Sequence, residues 1–164
     1  MGKSSLIILA PVLGCALAVP AGAYTCRGAD DAPATVGLHR ARTATFCLIN
    51  LERSHHDLPI LLRQRKLMKT SGTFSRRMVA QRFFAHDGVW LASQIAEPAG
   101  EILAWGETAI STPAQVMADW MASPPHRRVI LSRRFTQMGM GIAFGSPLGG
   151  PAAEAVTYTV DFSR

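Results

Sequence analysis

The last quarter of the chain alternates between apolar and small or polar residues. Met138, Met140, Ile142 and Phe144 are separated by Gly139, Gly141, Ala143 and Gly145, a period of two that predicts a β-strand buried on one face. Val156, Tyr158, Val160 and Phe162 repeat the pattern against Thr157, Thr159, Asp161 and Ser163, with Gly149-Gly150-Pro151 between the two runs. An antiparallel hairpin follows. The glycine-bearing face leaves room for other backbone to come close.

Upstream the period is helical. Arg40 to about His55 lacks Pro and Gly, and Phe46, Leu48, Ile49 and Leu51 form a largely buried surface. Asn50 interrupts it; a buried amide must find partners, so its expected role is to tie neighbouring backbone in place. Thr73 or Ser75 is the expected cap of a helix running to about Arg82, with Phe74, Met78 and Val79 facing inward and Phe83-Phe84-Ala85-His86 delivered at its end. Val89 to Ile95 predicts a shorter helix before the turn Pro98-Ala99-Gly100. Ser111-Thr112-Pro113 predicts a capped start with Pro in the first turn, where no amide is missed. Val116, Met117, Trp120 and Met121 behind it read as a core stripe, not a cofactor site. Helices followed by a terminal hairpin make the fold class α+β, helices packed around a small antiparallel sheet.

The first residues have a different logic. Lys3, the apolar run Leu6 to Val19 and the small residues Ala21-Gly22-Ala23 read as a signal peptide over residues 1–23. A membrane anchor is the alternative, but Pro11, Gly14 and Pro20 break the run. Lipidation at Cys15, after Val12-Leu13-Gly14, is another; it is disfavoured because the chain stays apolar through Val19. Residues 24–38, rich in Ala, Asp, Pro and Gly between Cys26 and Leu38, read as a linker, and 39–164 as a single domain. No later stretch is apolar for long enough to span a bilayer.

Loss of the leader removes Cys15 and Lys3. Cys26 and Cys47 remain, and in an exported chain they read as a disulfide closing a loop of about twenty residues, stabilising by roughly 3 kcal/mol in the chain-entropy model. The alternative is two buried free thiols. The formal charge of +6 falls by one. Arg76-Arg77, Arg127-Arg128 and Arg133-Arg134 are scattered, which predicts a solvated face compatible with an anionic envelope surface. No nucleic-acid module is recognisable, so nucleic acid is not an expected partner.

Several segments, in order and spacing, resemble a bacterial-type CAP (SCP) domain, the superfamily of cysteine-rich secretory proteins, antigen 5 and plant pathogenesis-related proteins. They are Cys47 to Arg53, Met78 through Phe83-Phe84-Ala85-His86, Gly100-Glu101-Ile102-Leu103-Ala104-Trp105-Gly106, Trp120 to Arg127, Ile130-Leu131, Arg134 to Gly139, and Tyr158-Thr159-Val160-Asp161-Phe162. The resemblance covers roughly residues 44–163. It implies a three-layer α-β-α sandwich and a cavity lined by two histidines and acidic residues, here His86, His126 and Glu101. Those three groups would suit a divalent cation such as Zn²⁺, with one position left for water. Ile102 replaces the amide of the family's Gly-Glu-Asn motif, Pro125 replaces a glycine before the second histidine, and Val129 replaces an asparagine; Ser123 lies near where relatives carry a second glutamate. The stretch from His86 to Gly100 looks shortened.

His39, His55 and His56 match no site motif and are expected on the surface or at helix ends. Glu97, Glu107 and Asp119 are acidic residues with no assigned place. Ser71, Ser93 and Ser123 lack a nucleophile elbow, and Cys47 is better used in a disulfide than as a nucleophile. Three functions then compete: a secreted, non-enzymatic module binding a lipid, sterol or anionic envelope component; a metal-dependent hydrolase or peptidase built on His86, His126 and Glu101; and a structural envelope protein with a vestigial cavity.

Overall fold

The computed structural model describes residues 25–97 and 99–164; the leader expected over residues 1–23, with Cys15, lies outside them. Along the described chain run α1 (Pro33–His55), β1 (Leu62–Arg63), α2 (Arg65–Gln81), α3 (Gly88–Ser93), β2 (Gly100–Glu107), α4 (Pro113–Ala122), α5 (Pro124–Ile130), β3 (Gln137–Phe144) and β4 (Ala155–Ser163). The sheet order is β1-β3-β4-β2. β4 is antiparallel to both β3 and β2, and the two-residue β1 joins β3 in parallel. The fold is α+β, as its sequence pattern predicts.

The hairpin forms as expected, but β3 and β4 are buried on both faces, not one. Met138, Met140, Ile142, Tyr158, Val160 and Phe162 pack with Ile49, Trp120 and Ile130 from α1, α4 and α5. The other face is not solvated. Thr157, Thr159 and Ser163 are fully buried and Asp161 nearly so, because α2 lies on Gly139 and Gly141. A Cβ on Gly141 would collide with the backbone of Ser71 and Gly72, and one on Gly139 with that of Leu67 and Met68. Polar β4 side chains then find partners on the helix: Ser75 Oγ donates to Thr159 Oγ1 at 2.8 Å and Ser71 Oγ to Asp161 Oδ2 at 2.7 Å. The result is a sandwich with helices on both sides of the sheet. Gly141→Ala is therefore expected to lower stability by about 1–3 kcal/mol through overpacking; an unchanged urea midpoint would contradict this packing.

α2 starts eight residues or more before the expected caps. Gln64, an unusual cap residue, accepts the Lys66 amide at 2.6 Å. The inward face includes Ser71 and Ser75 among Leu67, Phe74 and Met78, so its apolar stripe is interrupted and the first two turns look polar. The helix ends at Arg82 in the left-handed region (φ 54°), turning the chain toward His86. The start of α4 follows expectation: Thr112 Oγ1 accepts the Gln115 amide at 3.1 Å, with Pro113 in the first turn.

α1 begins at Pro33 and is broken at Gly37, whose φ of 79° suits glycine. The segment expected as a linker is packed: Cys26 and Ala29 cluster with Ala44, Ala29 O accepts the Ala114 amide at 2.9 Å, and Cys26 is disulfide-bonded to Cys47. Asn50 ties backbone as expected, its Nδ2 donating to Leu61 O at 3.1 Å and its Oδ1 accepting Leu61 N at 2.8 Å. Arg53, one turn on, was not singled out by the sequence, yet it is buried and donates to the carbonyls of Pro59, Ile130 and Ser132 at 3.0, 2.7 and 2.9 Å.

Candidate functional site

Strand pairing sets the first part of the site. Glu101 on β2 stands opposite Asp161 on β4, which stands opposite Gly139 on β3. The row lies on the α2 side of the sheet, where the small glycine lets the helix close over both carboxyls. Gly88, at the start of α3, completes the lid: a Cβ there would meet Glu101 Oε2 and the Phe74 ring. His86 reaches in from the loop after α2, its Nδ1 3.1 Å from Glu101 Oε1. The imidazole is 58% exposed and the glutamate side chain 1%, so the histidine forms the mouth and the carboxyl is sealed beneath it.

Two buried carboxyls side by side cannot both ionise cheaply. Burial, then the charge of Asp161 and a hydrogen bond with it, then the charge of Asp87, push Glu101 up to about 9. Burial raises Asp161 to about 6, opposed by hydrogen bonds with Ser71, Glu101 and Thr70 that favour its carboxylate. Glu101 Oε2 and Asp161 Oδ1 are both buried, and among the described residues neither has a hydrogen-bond partner. A proton held on Glu101, which the raised pKa favours, would serve both oxygens. With that proton on Oε2, Oε1 accepts and the His86 Nδ1–H tautomer donates to it.

His126 sits on α5, half-buried. Burial lowers its pKa, as does the charge of His86 to a lesser degree, so the two imidazoles feel one another. Among the described residues no group of three His, Cys, Asp or Glu side chains is arranged to hold a metal ion. Glu101 Oε1 is paired with His86 Nδ1, and its carboxyl lies beside that of Asp161. Among the described residues His86 pairs with Glu101, and His126 does not join them in one metal-ligand group.

The remaining sequence candidates lie apart. His55 and His56 contact Glu52 at 4.0 and 3.2 Å on the outside of α1. His39 lines a separate cavity of about 60 Å³ with Phe46, Met138 and Met140. Asp119 accepts from Gln115 within α4, Glu97 accepts the Ala99 amide, and Glu107 is at the far end of β2. Ser93 donates to Trp90 O at 2.8 Å. Around His86, in contrast, Arg77, Asp87, Trp90 and Leu91 line an open pocket of about 320 Å³.

A family model described as the cysteine-rich secretory protein family, CAP, matches residues 46–162. The chain belongs to the CAP family. It is similar to the uncharacterized protein YkwD of Bacillus subtilis, 29% identical over 131 residues that cover 74% of this chain and 49% of that protein. The chain thus spans about half the length of this curated relative. Its fold is like that of an extracellular SCP-domain protein of Bacillus anthracis, with 24% identity and a TM-score of 0.64 over 77% of this chain and 41% of that one. It is also like an outer surface protein of Borrelia burgdorferi, with 18% identity and a TM-score of 0.61 over 73% and 88% of the two chains.

Within this CAP domain Asp161 is the site residue that sequence reasoning missed. The strand alternation sets it only among the residues opposite the apolar run. The available signal was the resemblance itself, which puts Glu101 in the cavity; an acid on the same face of a neighbouring strand becomes its partner once register is known.

Proposed function

We propose that this chain is an exported CAP-domain binding module that holds a lipid or other cell-envelope component without transforming it. The reading takes residues 1–23 as the export leader and gains support from the extracellular and outer-surface relatives. Among the described residues no helix is long and apolar enough to cross a membrane. The observation that carries the proposal is the Glu101 carboxyl, sealed beneath His86 and set beside Asp161 so that burial and the second acid favour its protonated form. A hydrolase built on this pocket needs a base or a metal-bound water near the substrate. Glu101 offers neither a free carboxylate nor access. What the mouth offers is an imidazole nitrogen, a guanidinium and an indole face, which are recognition groups.

The test is metal analysis of protein purified without chelator, then calorimetric zinc titration of the wild type, His86→Ala and His126→Ala, with lipid extraction and mass spectrometry of the same preparation. The proposal expects substoichiometric metal, equally negligible heats in all three, and a co-purified or titratable envelope ligand. Stoichiometric zinc that disappears in His126→Ala, or a peptidase activity lost in folded His86→Ala, would establish the hydrolase instead.

A further inference from the structure

The outer layer of α2 and α3 carries a chemistry that the His86–Glu101 pair does not use. From Leu58 to His86 the chain has no Asp or Glu, while Lys or Arg recurs throughout. On the exposed side of α2 these cations are not ion-paired with any acid among the described residues. Arg76 donates to Thr73 Oγ1 at 3.1 Å, and Arg77 donates to Gln81 and lies over the Phe83 ring. Lys66 and Lys69 face a groove of about 440 Å³ whose other wall is Leu91 and Ile95. Leu91 also borders the pocket of Arg77, His86 and Trp90, so the two depressions adjoin at this residue along the seam of the helices. One wall is cationic and the other apolar. Trp90 stands at its rim with 64% exposure. The acids nearby are Asp87, at the His86 end, and Glu97, engaged with the Ala99 amide.

Charge alone would suit any polyanion. Unpaired lysines beside an exposed indole and an apolar wall suit an interface that is anionic outside and hydrocarbon inside, and Trp is the side chain most at home at that boundary. We infer that the α2–α3 face docks on a lipid bilayer bearing anionic headgroups, with Lys66, Lys69 and Arg77 over the phosphates and Trp90 in the interfacial layer. This names the partner of the groove proposed above and rests on that binding reading.

The experiment is co-sedimentation of the exported protein with phosphatidylcholine vesicles and with mixed phosphatidylcholine–phosphatidylglycerol vesicles. The wild type is expected on the mixed vesicles only, less so as salt rises. Lys66→Glu/Lys69→Glu is expected to bind roughly thirty-fold or more weakly, since each interfacial cation is worth about a factor of five to ten. Trp90→Ala should lose several-fold. Arg127→Glu/Arg128→Glu, on the opposite helical layer, should bind as the wild type does. Equal binding to the two vesicle types, or an unaffected lysine double variant, overturns the inference. So does capture by soluble polyphosphate that competes with vesicles and ignores Trp90→Ala, the mark of a polyanion site. A co-purified or titratable ligand in a protein that ignores vesicles would sink the membrane inference and leave the binding reading standing; absence of any ligand would sink both.

Discussion

Arg53→Leu is expected to lower stability by about 3–5 kcal/mol, on the scale of breaking a buried charged network. Arg53 is 1% exposed, and its guanidinium closes on three carbonyls, one in the loop before β1 and two at the end of α5. Burial, and then the charge of Arg133, pull its pKa down, but three carbonyl acceptors replace the water it has lost. Leucine would leave the Ile130 carbonyl buried without this donor and release the part-buried carbonyls of Pro59 and Ser132. Arg53→Lys keeps the charge but not the planar fork, so it should recover only part of the loss. Because Ile130 and Ser132 lie at the end of α5, the helix that carries His126, the leucine variant should also loosen that side of the site. Urea denaturation of the three proteins gives the comparison. A loss under about 1 kcal/mol for Arg53→Leu would mean the network is not holding the helix.

The second large effect is a decline in stability with rising pH. Glu101 is raised from 4.5 to about 9 and Asp161 from 3.8 to about 6. Between the unfolded and folded values the native state holds more protons than the unfolded chain, so stability must fall as pH climbs. His126 acts in the opposite sense: its lowered pKa adds stability as pH rises toward the ordinary imidazole value of 6.5. The clean window is therefore pH 7 to 9, where Glu101 dominates and the slope is on the order of 1 kcal/mol per pH unit. That corresponds to a fall in Tm of several degrees. Glu101→Gln keeps a donor toward Asp161 and cannot ionise, so its Tm should be nearly flat over the same window. Parallel wild-type and variant profiles would contradict the shared proton.

Elements with a local signal could be read from the chain. The cap at Thr112, the alternation of β3 and β4 and the lone amide of Asn50 each carry their reason within a few residues. α2 could not be placed correctly because its cap is a glutamine and its buried face includes two serines whose partners, Asp161 and Thr159, are about ninety residues away. The same separation hid the burial of Asp161: alternation tells which residues share a face, but not that a helix covers the second face. Gly139 and Gly141 were the clue, since they invite backbone to approach. Arg53 escaped for a related reason, because its acceptors are backbone carbonyls and carry no side-chain signature. The closeness of His86 and Glu101 came from the family resemblance, as no periodicity links a loop histidine to a strand carboxyl.

The proton on Glu101 is the point on which the binding reading turns, and carbon NMR reads it directly. In protein labelled with ¹³C at the glutamate carboxyls, one resonance should remain in the protonated range at pH 7, titrate near pH 9 and be missing from Glu101→Gln. If every glutamate carboxyl instead titrates near the ordinary value of about 4.3, Glu101 is a free carboxylate, and a base or metal ligand is available in the pocket after all.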